Sequence, residues 1–249
     1  MELSVRNWTI ANREGLNWHE FVERIGLHAA DGSASGVAFY PVWNEVRAEQ
    51  ILWRRETYEA QRGPILDPTV PRRWLPVECN VPIRYHWWFW SSTNADSLMS
   101  LDRMMEIYYR SVGYGANLLI NHTPDPTGLI PEADVRRGAE FGAEAKRRFG
   151  LPLAQTHGTG NVFEIDLKRP TRIDHVVLMD AIEHGQRMLE YEVEAMAGNA
   201  WQSIVRGDAI GHKKIDRFEP VLAAKVRLRV HKALAEPHLR SGAVFQTGP

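Results

Sequence analysis

The sequence predicts a mixed α/β segment followed by an all-β segment. Two observations predict this division. Eight of the nine tryptophans lie within the first 90 residues, and the hydrophobic period changes to strict alternation after about residue 155. Large aromatic side chains are normally spread through a core, so their uneven distribution indicates two parts with different roles. We therefore expect one domain at 1–155 and a second at 156–249.

The first segment mixes predicted helices with a few predicted strands. Apolar residues at helical spacing predict helices over 18–27, 98–112 and 134–148, and apolar runs predict strands over 37–43 and 117–120. This order is typical of an α/β barrel or a doubly wound sheet. Two or three strands are too few to close a barrel, so this segment is expected to be a piece of something larger.

The second segment has the pattern of a small antiparallel β-sandwich or jelly roll. A break at 149–152 and a predicted loop at 157–160 mark its start, and a turn is predicted at Arg169–Pro170. Short alternating strands separated by Pro, Gly or Asn turns indicate the sandwich. The predicted strands are 162–167, 173–179, 188–196, 201–205, 215–221, 225–230 and 243–246.

Composition argues against several classes of function. Thirty Lys and Arg against 31 Asp and Glu give a net charge of -1, which is not typical of nucleic-acid or anionic-membrane binding. The one cysteine, Cys79, allows no internal disulfide. Neither metal-ligand spacing nor a phosphate-binding glycine loop is present, so no metal and no cofactor are expected. No apolar run approaches the roughly 18 residues of a spanning helix, and no signal peptide is expected.

Candidate functional side chains are concentrated within residues 74–90. Glu78 and Arg84 precede a run of four aromatic residues, Trp87, Trp88, Phe89 and Trp90. Sugar-binding sites combine flat aromatic surfaces with a few polar groups, which makes this segment a candidate sugar site. The alternative is that the aromatic side chains are core and that Glu78 pairs with Arg84 as a structural bridge.

A second acid, Glu45, directly follows the predicted strand at 37–43. In α/β barrels the C-terminal ends of the strands carry the active site, so Glu45 is a candidate catalytic residue. The alternative is that Glu45 only ends the strand and pairs with Arg47 or Arg54.

From about residue 37 onward, the chain resembles the C-terminal part of glycoside hydrolase family 29, the α-L-fucosidases. The resemblance rests on a tryptophan-proline-glutamate segment leading to aromatics, a tyrosine-bearing helix ending in Ser-Val-Gly, and an Asn-Leu-Leu-x-Asn strand. The matching residues are Trp74–Trp90, Tyr108, Tyr109, Ser111, Val112, Gly113, Asn117, Asn121, Pro124, Asp125, Gly128, Gly185–Arg187, Trp201 and Ile210–Lys213. It implies the C-terminal part of a (β/α)8-like barrel followed by a small β-sandwich.

The resemblance also implies a retaining mechanism with two carboxylates roughly 5 to 5.5 Å apart, acting on a fucosylated oligosaccharide or glycoside. Residues 42–45 match an acid/base segment of the family, which makes Glu45 the acid/base candidate. Glu78 is then the second candidate or a sugar contact. The expected substrate-binding residues are Trp43, Arg84, Trp87, Trp88 and Trp90.

One expected feature of the family is missing. Its nucleophile is an aspartate in a Trp-x-Asp-Gly segment upstream of the acid/base residue, whereas Asp31 belongs to the only Asp-Gly pair before Glu45. The expectation is therefore a truncated fucosidase-like hydrolase without its nucleophile, whose barrel is completed by a partner chain or an oligomer. The alternatives are a non-catalytic carbohydrate-binding protein derived from such an enzyme, and a poorly folding product with an exposed barrel edge.

Overall fold

The computed structural model describes residues 35–49 and 60–248. The predicted helix over 18–27, the Asp31 position and three tryptophans, Trp8, Trp18 and Trp53, lie outside the described residues. The first part of the described chain contains two α-helices and two small two-stranded sheets. These elements are β1 (Glu45–Arg47), β2 (Arg72–Trp74), β3 (Glu78–Pro82), α1 (Leu101–Arg110), β4 (Asn117–Asn121) and α2 (Glu132–Phe149).

Strands β3 and β4 pair in parallel and are connected through α1. The buried faces of this βαβ unit meet in one cluster, in which Val81 and Ile83 pack with Met104 and Ile107 of α1. A βαβ unit is the repeating element of α/β folds. The described residues contain one such unit, and the assignment of this part to a partial (β/α)8-like barrel stays a prediction.

The strand predicted over 37–43 is wrong, because this stretch has no regular secondary structure. Val37, Val42 and Trp43 are buried, which explains the apolar pattern. Pro41 lacks the N–H that a central strand needs. The neighbouring Tyr40 hydroxyl accepts hydrogen bonds from the backbone N–H groups of Asp208 and Ala209, each at 3.0 Å. The apolar run is therefore a buried irregular segment packed between the two parts of the chain.

The second part of the chain is mostly antiparallel sheet, as predicted. Its six strands are hydrogen-bonded in the order β5-β10-β6-β9-β7-β8. They are β5 (Ala154–Thr159), β6 (Val162–Asp180), β7 (Met188–Ala197), β8 (Ala200–Gly207), β9 (Lys214–Ala233) and β10 (His238–Phe245). The two long strands, β6 and β9, each contain two of the predicted strands.

The turn predicted at Arg169–Pro170 is an interruption within β6 rather than a chain reversal. The pairing of β6 with β9 shifts register between Asp166 and Thr171, and Lys168 has a φ of 64°. Such a bulge accommodates the missing N–H of Pro170 without ending the strand. Similarly, most of the loop predicted at 157–160 belongs to β5.

Both halves of β6 face the same core. Phe163 and Ile165 from the first half lie in one cluster with Ile173 and Leu178 from the second half, and Tyr191 of β7 joins them. The sheet therefore folds over on itself across the bulge and encloses this core.

A separate cluster joins the helices to the sheet. Met105 and Tyr109 of α1 pack against Val177, Ile215 and Phe245 of the sheet. The predicted division at residue 155 falls one residue after the start of β5. The two parts share this buried contact, and their division into separate domains stays a prediction.

Candidate functional site

Glu45, the predicted acid/base residue, begins β1 and lies opposite Trp74 of β2. Its Oε2 atom is 3.5 Å from Nη1 of Arg72, and its side chain is 13% exposed. Gly185 packs against the other carboxylate oxygen, because a Cβ atom at this glycine would lie 2.8 Å from Oε1 of Glu45. The sequence anticipated an ion pair with Arg47 or Arg54, but among the described residues the salt-bridge partner of Glu45 is Arg72.

Asn44, directly before Glu45, fixes the local backbone through its buried side chain. Its Nδ2 donates to the carbonyl of Gly115 at 3.2 Å, and its Oδ1 accepts from the N–H of Val77 at 2.8 Å. Its own backbone N–H donates to Oε1 of Gln186 at 3.1 Å. These bonds tie the start of β1 to three distant stretches of the chain.

Gln186 carries the connection from the sheet to this segment. Its Nε2 donates to the carbonyl of Val42 at 2.7 Å, which complements the bond to Asn44. Gly211 packs against the Gln186 amide, where a Cβ atom would lie 2.9 Å from Nε2, and its φ of 64° also favours glycine. Two segments that carried the family resemblance, 185–187 and 210–213, thus meet at the Asn44–Glu45 segment. Their spacing in the sequence did not predict this contact.

Asp180 lies buried at the end of β6, next to this connection. Its Oδ2 accepts from the N–H of Gly211 at 3.1 Å, whereas its Oδ1 has no hydrogen-bond partner among the described residues. Burial raises the pKa of the Asp180 carboxyl to about 7. The neutral acid is therefore the favoured form in the folded protein at mildly acidic pH.

We expect Asp180→Asn to flatten the pH dependence of stability. Because the folded-state pKa exceeds the ordinary value of 3.8, the folded protein binds this proton more tightly than the unfolded chain. The resulting stabilisation is complete below about pH 4 and is lost as the pH rises to about 7, by up to about 4 kcal/mol. Denaturant unfolding of both proteins between pH 4 and 8 measures it. Asp96→Asn, at an exposed acid, is the control, and parallel curves for wild type and Asp180→Asn would contradict the assignment.

Glu78, the second candidate acid, begins β3 and is exposed. It follows four residues after Trp74, the cross-strand partner of Glu45, but the two acids belong to different two-stranded sheets. Cys79 and Val81 of the same strand are buried, so β3 presents Glu78 on its accessible face.

Arg84 is buried and forms a two-pronged ion pair with Asp134. Its Nε and Nη2 donate to Oδ2 and Oδ1 of Asp134 at 3.1 and 2.6 Å, and its Nη1 donates to the carbonyl of Asn94 at 2.8 Å. The sequence analysis considered a structural bridge between Arg84 and Glu78. This is wrong, because the partner of Arg84 is Asp134. The guanidinium of Arg84 is already engaged in these bonds. Its predicted substrate-binding role stays a prediction.

The four residues of the aromatic run, 87–90, are exposed, and Phe89 reaches 83% exposure. Their backbone is held in place: Asn121 Nδ2 donates to the carbonyl of Trp88 at 3.1 Å, and the N–H of Trp87 donates to the carbonyl of Arg84 at 2.9 Å. Trp43, by contrast, is buried. The run therefore forms an accessible aromatic surface, while Trp43 belongs to the core behind Glu45.

The surroundings of β1 include an open cleft of about 430 Å³. Val46 and Arg47 line it together with residues 63–67. Within residues 35–49 and 60–248, no group of three His, Cys, Asp or Glu side chains is arranged to hold a metal ion. In the same part of the chain, no helix has the length and apolar character needed to cross a membrane.

Comparison with known proteins relates this fold to glycoside hydrolases. A solved glycoside hydrolase 29 family member from an unknown rumen bacterium matches with a TM-score of 0.75 and 26% identity, over 88% of this chain and 40% of that one. More particularly, the chain is similar to α-L-fucosidases. A crystal structure described as a "putative alpha-L-fucosidase" from Bacteroides thetaiotaomicron matches with a TM-score of 0.76 and 31% identity, over 86% of this chain and 50% of that one.

A curated relative gives the same result at the level of sequence. The "Putative alpha-L-fucosidase 1" of Oryza sativa subsp. japonica is 26% identical over 86% of this chain and 47% of its own length. No family model matches the chain. The resemblance to the α-L-fucosidases is confirmed, and the match is consistent with a C-terminal portion of such an enzyme. The chain spans about half the length of this curated relative.

Proposed function

We propose that this chain is part of a retaining α-L-fucosidase-type glycoside hydrolase acting on fucosylated glycans, with Glu45 as its acid/base residue. The observation that carries the proposal is the setting of the Glu45 carboxylate. It is largely buried, oriented by Arg72, and packed against Gly185 at the contact between the two parts of the chain. Residues 42–45 also match the acid/base segment of the family that the chain resembles.

In a retaining mechanism, the acid/base residue first protonates the leaving oxygen and then removes a proton from water. Glu45 is a suitable group because its position is fixed on both sides, so that proton transfer needs little rearrangement. The exposed Glu78 is proposed to contact or orient the sugar. The aromatic run at 87–90 is proposed to pack against the apolar face of the glycan, with Trp43 supporting the Glu45 segment from the core.

The proposed reaction also requires a covalent nucleophile. The sequence has no Trp-x-Asp-Gly segment before Glu45, and we infer that the covalent nucleophile is not among the residues of this chain. Nucleophile and acid/base residues act as a unit, so its absence removes most of the rate. A partner polypeptide that supplies the nucleophile and completes the barrel is the corresponding proposal.

A small external nucleophile tests this function directly. The purified chain is incubated with 4-nitrophenyl α-L-fucoside, with and without sodium azide. We expect turnover near background without azide. With azide we expect β-L-fucosyl azide, because azide forms the new C–N bond on the open face of the anomeric carbon as the nitrophenolate leaves with the C–O bonding electrons. Release of L-fucose with retained configuration in the absence of azide would show that the chain has its own nucleophile. Absence of both products would contradict catalysis by this chain alone, since azide replaces the nucleophile but not the rest of the barrel.

A second candidate function, carbohydrate binding without cleavage, is favoured by the exposure of the aromatic run. We expect Trp88→Ala and Phe89→Ala each to weaken binding of a fucosylated oligosaccharide by roughly fivefold to tenfold, as removal of one stacking ring does. Stability should change little in Phe89→Ala, because this side chain is 83% exposed. Isothermal titration calorimetry measures the affinity, and Leu151→Ala, at an exposed apolar residue outside the run, is the matched control. Unchanged affinity in both aromatic variants would exclude the run from sugar binding.

A further inference from the structure

Three basic side chains, His212, Lys213 and Arg240, lie together at one end of the sheet. His212 and Lys213 directly precede β9, and Arg240 lies on β10. The strand between them is β6, whose last residue, Asp180, donates its backbone N–H to the carbonyl of Gly211 and lies opposite Leu239. Arg240 interacts electrostatically with both His212 and Lys213. We call these three residues the basic cluster.

Among the described residues, the basic cluster has no protein anion to balance it. Within the described part of the chain, none of its three members forms an ion pair or hydrogen bond through its side chain. Most other cations of the sheet are paired, as in Arg227 with Glu194 and Arg206 with Glu192. The neighbouring carboxyl of Asp180 is buried and directed to the N–H of Gly211.

The cluster is electrostatically unfavourable on its own. His212 and Lys213 are half-buried, and burial, followed by the charge of a neighbouring base, lowers the pKa of each. Partly desolvated like charges repel one another, and a bound anion relieves both the repulsion and the desolvation cost. The guanidinium and ammonium groups are donors suited to carboxylate, sulfate and phosphate oxygens.

The basic cluster also adjoins the candidate active site. A Cβ atom on Gly115 would lie 3.7 Å from the backbone nitrogen of His212 and 3.7 Å from Nδ2 of Asn44. The backbone at His212 and the residue before Glu45 therefore pack against the same glycine. Gln186, which supports Asn44, packs against Gly211, the residue directly before His212.

We propose that His212, Lys213 and Arg240 form a binding site for one anionic substituent, a sulfate ester or a uronate carboxylate, of a glycan. This inference rests on the proposed function for the identity of the ligand as a glycan. It adds to that function a preference for acidic glycans. The sheet would then select the substrate as well as position Asn44 and Glu45.

Calorimetric titration of the full chain with three probes tests this site: a sulfated fucose oligosaccharide, the same oligosaccharide after desulfation, and sodium sulfate. Measurements at low ionic strength keep screening small. We expect the sulfated oligosaccharide to bind about tenfold more tightly than the desulfated one, as expected for charge-assisted hydrogen bonds. Lys213→Met and Arg240→Gln should each remove most of this difference. Lys168→Met, at an exposed lysine on the β6 bulge, should retain it.

Three outcomes would overturn the site as proposed. Equal affinity for sulfated and desulfated oligosaccharides would show that the anion is not recognised. Unchanged discrimination in both Lys213→Met and Arg240→Gln would place recognition elsewhere, and Arg240, being exposed, can be replaced with little risk to folding. Sodium sulfate binding as tightly as the sulfated oligosaccharide would indicate a site for free anions. Because discrimination is measured by binding, a failure of the azide experiment would leave this result interpretable.

Discussion

Arg84→Ala is expected to destabilise the protein by about 3 to 5 kcal/mol, because it leaves the charge of Asp134 buried without a partner. The Asp134 side chain is 0% exposed, and among the described residues its ion-pair partner is Arg84. Asp134 also lies in the first turn of α2, so the loss removes the bond that joins the start of this helix to the segment after β3. Equilibrium denaturation monitored by tryptophan fluorescence and circular dichroism measures the change in the free energy of unfolding.

Two further variants separate the ion pair from simple loss of a side chain. Arg84→Met combined with Asp134→Leu removes both charges, and should restore much of the stability lost in Arg84→Ala. Arg136→Ala removes an exposed partner of Glu132 and should cost at most about 1 kcal/mol. Equal losses for the Arg84 and Arg136 variants would contradict the structural importance of the buried pair.

The elements that the sequence predicted well are those whose pattern is local. Helices α1 and α2 lie within the predicted ranges or extend them by one or two residues, because an amphipathic period is visible in any window of that length. Strand β7 was predicted for the same reason. The 37–43 segment was not, since a short apolar run does not distinguish a buried strand from a buried irregular stretch.

The sequence also identified Glu45 as a candidate but could not identify what surrounds it. Arg72 and Gly185 reach the carboxylate only through the pairing of β1 with β2 and the packing of the sheet against Asn44. The same limit applies to Arg84, whose partner lies 50 residues away rather than at the nearby Glu78. Contacts between distant segments depend on the assembled fold, and spacing along one sequence carries no record of them.

Exposure of the aromatic run was similarly beyond reach from the sequence. Four consecutive aromatic residues have neither a helical nor an alternating period, so no face could be assigned to them. In the structure, the buried Arg84–Asp134 pair anchors the backbone before the run, and the side chain of Asn121 holds the carbonyl of Trp88 within it. The rings themselves remain accessible.

Glu45→Gln is expected to reduce azide-supported turnover in a manner that depends on the leaving group. For an alkyl fucoside, whose leaving oxygen needs a proton, the loss in kcat/KM should be about 10²- to 10⁴-fold, which is the usual contribution of general acid catalysis. For 2,4-dinitrophenyl α-L-fucoside the loss should be small, because the departing phenolate is stable without protonation. Initial rates across a series of aryl and alkyl fucosides measure this dependence.

The leaving-group series distinguishes catalysis from a structural ion pair. If Glu45 served only to neutralise Arg72, its replacement would lower stability and affect all substrates equally, and Arg72→Gln would have the same effect. Glu78→Gln is the matched control at an exposed acid: a sugar contact predicts mainly a higher KM, without dependence on the leaving group. A uniform loss across the series for Glu45→Gln would therefore refute the acid/base role. A steep dependence for Glu45→Gln and a flat one for Glu78→Gln would assign proton transfer to the carboxylate held between Arg72 and Gly185.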